Sequence, residues 1–151
     1  MWYRVFGTNE NQATPEEILA HLSDLGCAVT AEFHGDDEGW VKAEITFAAT
    51  TPVHVERFLS SEEGIRAELN TWAAFLETCD YSPNHTRLME HMVQTRQLFT
   101  VRRPFDASDE ILTEKICLGL SQLLACTTAG VYQIDGQGFF TPEGLLLLQE
   151  Y

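Results

Sequence analysis

The sequence predicts an α+β protein, a largely antiparallel sheet with helices packed mainly on one face. Three observations carry that expectation. Apolar and polar residues alternate over 29–33 and 40–47, the mark of half-buried strands. Apolar residues recur at steps of three and four over 65–79 and 112–123, the mark of amphipathic helices. The order strand–helix–strand–strand also occurs twice, once toward each end of the chain.

A short apolar run at 2–6 leads into Thr14-Pro15-Glu16-Glu17. Thr14 can cap a helix, Pro15 suits the first helical position, and Glu17 completes a capping box. Ile18, Leu22 and Leu25 then make one apolar face, and Gly26 supplies a left-handed stop. Val29, Ala31 and Phe33 form the next strand, His34-Gly35-Asp36-Asp37-Glu38-Gly39 turns it, and Trp40, Val41, Ala43, Ile45 and Phe47 return it.

The middle, 52–95, reads as helical, although Val53 and Val55 leave a strand open there. Ser60 and Glu63 have capping-box spacing ahead of Ile65, Leu69, Trp72, Leu76 and Cys79. Ser82-Pro83 starts a further helix bearing Leu88, Met89, Met92 and Val93. Residues 98–101 read as a strand closed by Arg102-Arg103-Pro104, because proline cannot extend a central ladder. A helix over 108–126, a strand run over 131–140, the turn Thr141-Pro142-Glu143-Gly144 and a strand over 145–151 complete the chain.

Two arrangements accommodate these elements. In one, an internal duplication gives two pseudo-symmetric β-α-β-β halves joined by the helical middle, with Glu38-Gly39 answering Glu143-Gly144. In the other, residues 1–103 resemble a ferredoxin-like β-α-β-β-α-β unit that the last helix and hairpin extend.

At 151 residues, a single domain is expected, and 44% apolar content excludes a disordered chain. Cys27, Cys79, Cys117 and Cys126 are widely spaced without a C-x-x-C pair, so they read as buried, reduced thiols. Neither a secretory leader nor an apolar run of membrane-spanning length is visible, so the expected location is the cytoplasm. The sequon Asn84-His85-Thr86 has no role in that setting.

The net charge is −14, from nine basic and 23 acidic residues. That sign opposes binding to nucleic-acid backbones and to anionic membranes, and it favours a basic protein as partner. The acids are spread along the chain, which also keeps a protein dissolved.

No motif supplies chemistry. His34 and the acids 36–38 group oxygen and nitrogen donors at a turn, but without the spacing of a calcium loop. His85 and His91 lie six apart on one helix and point in directions that differ by about 240°. His54 and Glu56 suit one strand face, with no second histidine following. No metal site and no cofactor is therefore expected. A G-x-S-x-G elbow is absent, and Gly136-Gln137-Gly138 lies in a hairpin rather than before a helix. Glu16/Glu17, Glu62/Glu63 and Asp109/Glu110 sit where helix first turns favour acids. Arg96, Arg102 and Arg103 form the one basic cluster.

The leading expectation is a non-catalytic, immunity- or inhibitor-like protein that binds a basic protein through its acidic surface. Asp36, Asp37 and Glu38, with Trp40 and Tyr81 as exposed aromatics, are the candidate contacts. The alternative is a small-ligand-sensing module whose cleft is lined by Phe99, Arg102, Arg103, Tyr132, Phe139 and Phe140. An enzyme assembled from distant residues is a third class. Pairing of the apolar final strand with a second copy would make a homodimer.

Overall fold

The computed structural model describes residues 1–47, 51–107 and 109–151. The strands are β1 (Trp2–Gly7), β2 (Thr30–Asp36), β3 (Gly39–Thr46), β4 (Val53–Leu59), β5 (Gln97–Arg102), β6 (Val131–Ile134), β7 (Gly138–Phe140) and β8 (Leu146–Gln149). The helices are α1 (Pro15–Asp24), α2 (Ile65–Glu77), α3 (His85–Gln94) and α4 (Glu110–Thr127). All eight strands join one open sheet in the order β2-β3-β4-β5-β1-β6-β7-β8, and every pair is antiparallel.

Strand alternation decides the layering. Val5, Phe99, Val55 and Tyr132 point to one face and pack with Ile18 and Leu22 of α1 and Leu120 and Leu124 of α4. Their neighbours Phe6, Leu98, Val131 and Phe139 point to the other and pack with Leu69 and Leu76 of α2 and Leu88 and Met92 of α3. Helices therefore cover both faces, which corrects the expectation of helices mainly on one. The physical reason is that the central strands are apolar on both sides, so each side needs a cover. Each large side chain buried this way contributes about 1.5–3 kcal/mol.

The α2–α3 cover is partial. It lies over the ends of β4, β5 and β1 and over β6–β8, where Trp72 packs edge-on against Phe6 and Phe139 at 5.8 Å each. The same face of β2–β4 carries Glu32, His34, Lys42, Glu44, His54 and Glu56 instead. Those residues are exposed or half-buried.

Local signals account for most boundaries. The α1 capping box forms as expected: Glu17 N donates to Thr14 Oγ1 and Thr14 N donates to Glu17 Oε2, both at 3.1 Å. The expected helical start at residue 52 is corrected, because Val53, Val55 and Arg57 alternate inward from a strand of the sheet. The Ser60–Glu63 box is also corrected. Glu62 closes the turn by accepting from Leu59 N at 2.5 Å, and Gly64 begins α2 at φ 83°, a value that glycine adopts freely. Asp109 caps α4 through Leu112 N at 3.0 Å, while Ser108 lies outside the described residues. The run 131–140 is two strands, since Asp135, Gly136 and Gln137 turn the chain between β6 and β7.

The chain order does recur as β-α-β-β-β, yet the placement differs. β4, the last strand of the first meander, lies beside β5, whereas β6, the first strand of the second, lies beside β1. Among the described residues of 1–103 there are five strands and three helices, one more of each than a β-α-β-β-α-β unit, because β4 and a second helix intervene. Among the described residues no helix is long and apolar enough to cross a membrane.

Candidate functional site

The β2–β3 hairpin carries the acidic tip. Its turn is closed locally, with Glu38 N donating to Asp36 Oδ1 at 2.8 Å. The register shifts at His34/Gly35, leaving Val41 as the extra residue of a bulge beside Trp40. Trp40 turns into the core, 7% exposed, and its indole Nε1 donates to Ala13 O at 2.8 Å. The expectation of Trp40 as an exposed contact is therefore corrected: an aromatic ring at an inward strand position is buried against Phe33 and Phe99.

That bond ties the hairpin to the segment ahead of α1, and Gln12 Nε2 adds a second tie to Glu38 O at 2.6 Å. Between this segment, the hairpin turn, the end of β4 and the turn before α2 lies a pocket of about 540 Å³. Glu10, Asp36, Glu38 and Glu62 line it, with Gln12, Val41 and Leu59. Arg57 also lines it, only 8% exposed. Its Nε donates to Gln97 Oε1 at 2.7 Å and its Nη1 to Trp40 O at 3.3 Å. Gln97 is in turn held by donating to Asn9 O at 2.7 Å and Asn11 O at 2.9 Å. None of the four acids forms an ion pair among the described residues.

Sequence reasoning singled out Asp36 and Glu38 of this pocket and missed Glu10, Arg57 and Glu62, along with Gln97, which holds Arg57 from behind. A signal for Arg57 was present. It occupies the inward position in the alternation Val53, Val55, Arg57, and a charged residue there is rarely buried without a purpose. Reading the segment as helical hid it.

The other candidates are scattered. Asp37 is exposed at the tip and does not line the pocket. Tyr81 is exposed, its ring edge-on to Tyr151 and its hydroxyl donating to Gln149 O at 2.7 Å. It belongs to the β8 border, and seven strand spacings from β2 amount to roughly 30 Å. Phe99 and Phe139 are buried on opposite faces and cannot share a cleft. Tyr132 and Phe140 do meet, stacked at 5.2 Å beside a second pocket of about 310 Å³ that Tyr3 and Gln122 also border. Arg102 and Arg103 diverge: the first lies 5.8 Å from the Trp2 ring, the second donates to Glu110 O at 3.2 Å.

One group among the described residues could hold a metal ion: the ligand atoms of Glu32, His34 and Glu44 all lie within 4.8 Å of one another. The cluster is open to solvent, and Lys42 Nζ stands 3.7 Å from Glu44. Cys27, Cys79 and Cys117 are buried free thiols, whereas Cys126 is exposed, against the expectation of burial for all four. Its place on the outward side of α4 explains this. Burial pushes the Cys117 thiol up to about 12, which removes it as a nucleophile. No family model, curated protein or solved structure matches this chain.

Proposed function

We propose that this chain is a non-catalytic binding protein whose hairpin-tip pocket receives a cationic group of a basic protein. The observation that carries the reading is the pocket rim: four carboxylates around one concavity, none ion-paired among the described residues. Such a rim attracts positive charge, and the net charge of −14 steers a basic partner toward it. The four free thiols suit the reducing cytoplasm in which this reading places the pair.

The test is affinity capture of a lysine- and arginine-rich protein probe at two ionic strengths. Retention at low salt should fall at high salt, because exposed charge pairs are screened. Reversal of Asp36, Glu38 and Glu62 to lysine should remove retention. Reversal of three acids elsewhere, Glu16, Glu90 and Glu114, should leave most of it. Equal loss in both variants would show bulk charge at work and end the reading.

A second reading, a small-ligand module, is favoured by the stacked Tyr132–Phe140 pair beside the 310 Å³ pocket. A ligand there would raise the melting temperature, and Phe140→Ala would abolish that rise. A homodimer through β8 would need to displace three bonds. Tyr81, Ser82 and Asn84 already donate to the carbonyls of Gln149 and Leu147 along that edge.

A further inference from the structure

Arg57 is the feature that attraction of a cation leaves unexplained. A guanidinium is charged at every accessible pH and has five N–H donors. Gln97 and the Trp40 carbonyl take two of them, and the other three have no acceptor among the described residues. No carboxylate among those residues comes within ion-pair distance of it. Nor is the side chain loose: the Asn9 and Asn11 carbonyls hold Gln97, and Gln97 holds Nε of a guanidinium whose side chain lines the pocket. Burying a charge without a counter-ion is unfavourable, and a rigid fork with spare donors matches a carboxylate in geometry.

The two halves of the pocket thus ask for opposite charges. A simple anion would meet Glu10, Asp36, Glu38 and Glu62 on its way in. A simple cation would meet Arg57 at the floor. We propose that the pocket takes a carboxylate borne on a cationic molecule, with Arg57 binding the carboxylate and the rim binding the positive charge. This rests on the function proposed above and makes it specific. The occupant is the C-terminal carboxylate of a chain ending in lysine or arginine, or the same chemistry in a free basic amino acid.

The experiment uses the full chain and two matched pairs of probes, titrated by calorimetry. One pair is an eight-residue peptide ending in arginine, as the free acid and as the C-terminal amide. The other is L-arginine and agmatine, which is arginine without its carboxylate. At least one carboxylate-bearing probe should bind at least tenfold more tightly than its partner, and the pair that discriminates identifies the source. Arg57→Gln should abolish the discrimination while cation binding persists. Glu38→Gln should weaken both members of a pair alike. Equal affinity of acid and amide in the unaltered protein overturns the inference and leaves the cation-binding reading standing. That comparison needs no variant, so it survives if Arg57→Gln fails to fold. Failure of every basic probe to bind sinks both.

Discussion

The two meanders, β2–β3–β4 and β6–β7–β8, have the same order and antiparallel pairing, but they live in different surroundings. The second is buried on both faces at β6, with Tyr132 and Ile134 under α4 and Val131 under α2 and α3. Phe139 and Leu148 continue the α2–α3 side, while Leu146 of β8 is exposed on the other. The first is buried on one face only, and its other face bears alternating charges. The difference teaches where each element spends its side chains. Where helices cover both sides, strand residues are spent on packing. Where one side is open, strand residues are charged, and the acidic pocket lies at the tip of this meander, with Arg57 reaching it from the covered face.

Three changes test that contrast, the largest first. Phe139→Ala removes a fully buried ring that touches Phe6 and Trp72 and should cost about 3–5 kcal/mol in denaturant unfolding. A loss below about 1 kcal/mol would mean that α2 and α3 do not hold the second meander.

The second concerns pH. His91 of α3 donates from Nε2 to Phe6 O at 2.8 Å, since a carbonyl can only accept. Burial lowers its pKa below the ordinary value, with the Phe6 carbonyl opposing and Arg87 assisting. The folded chain therefore resists protonation that the unfolded chain accepts. Stability should be intact above pH about 6.5 and decline as pH falls from there through the lowered pKa. Urea midpoints at pH 7.5 and 5.5 should separate for the parent and draw together for His91→Gln.

The smallest effect is on the open face. Glu32 and Glu44 lie directly opposite each other, a like-charge arrangement that destabilises a strand pair. Glu44→Gln should change stability by no more than about 0.5 kcal/mol, in the stabilising direction. A loss above about 1 kcal/mol would show that this face is structural after all.

Most of the elements were legible in the sequence because local physics sets them. Thr14-Pro15 and Glu17 announce α1, and the alternation from Val29 to Phe47 announces a hairpin. What stayed hidden is set by distance. Val53 to Leu59 is too short for periodicity to distinguish strand from helix, and only pairing with β3 and β5 decides it. Losing β4 meant losing Arg57, and with it the floor of the pocket. The second helical layer was hidden for a related reason: nothing within 65–94 states which side of a sheet it will cover. Trp40 was misplaced because a hairpin tip suggests exposure, whereas the bulge turns that ring inward.

The borders of the sheet differ as its meanders do. Along β8, side chains of residues 81–84 occupy the outward carbonyls, so that rim is plugged. Along β2, the outermost strand on the other side, Glu32 and His34 are exposed, and a bulge breaks the pairing with β3 at His34/Gly35. One border is capped by side-chain donors and the other is bent by a bulge and carries an exposed carboxylate, two devices that oppose edge-to-edge pairing between sheets.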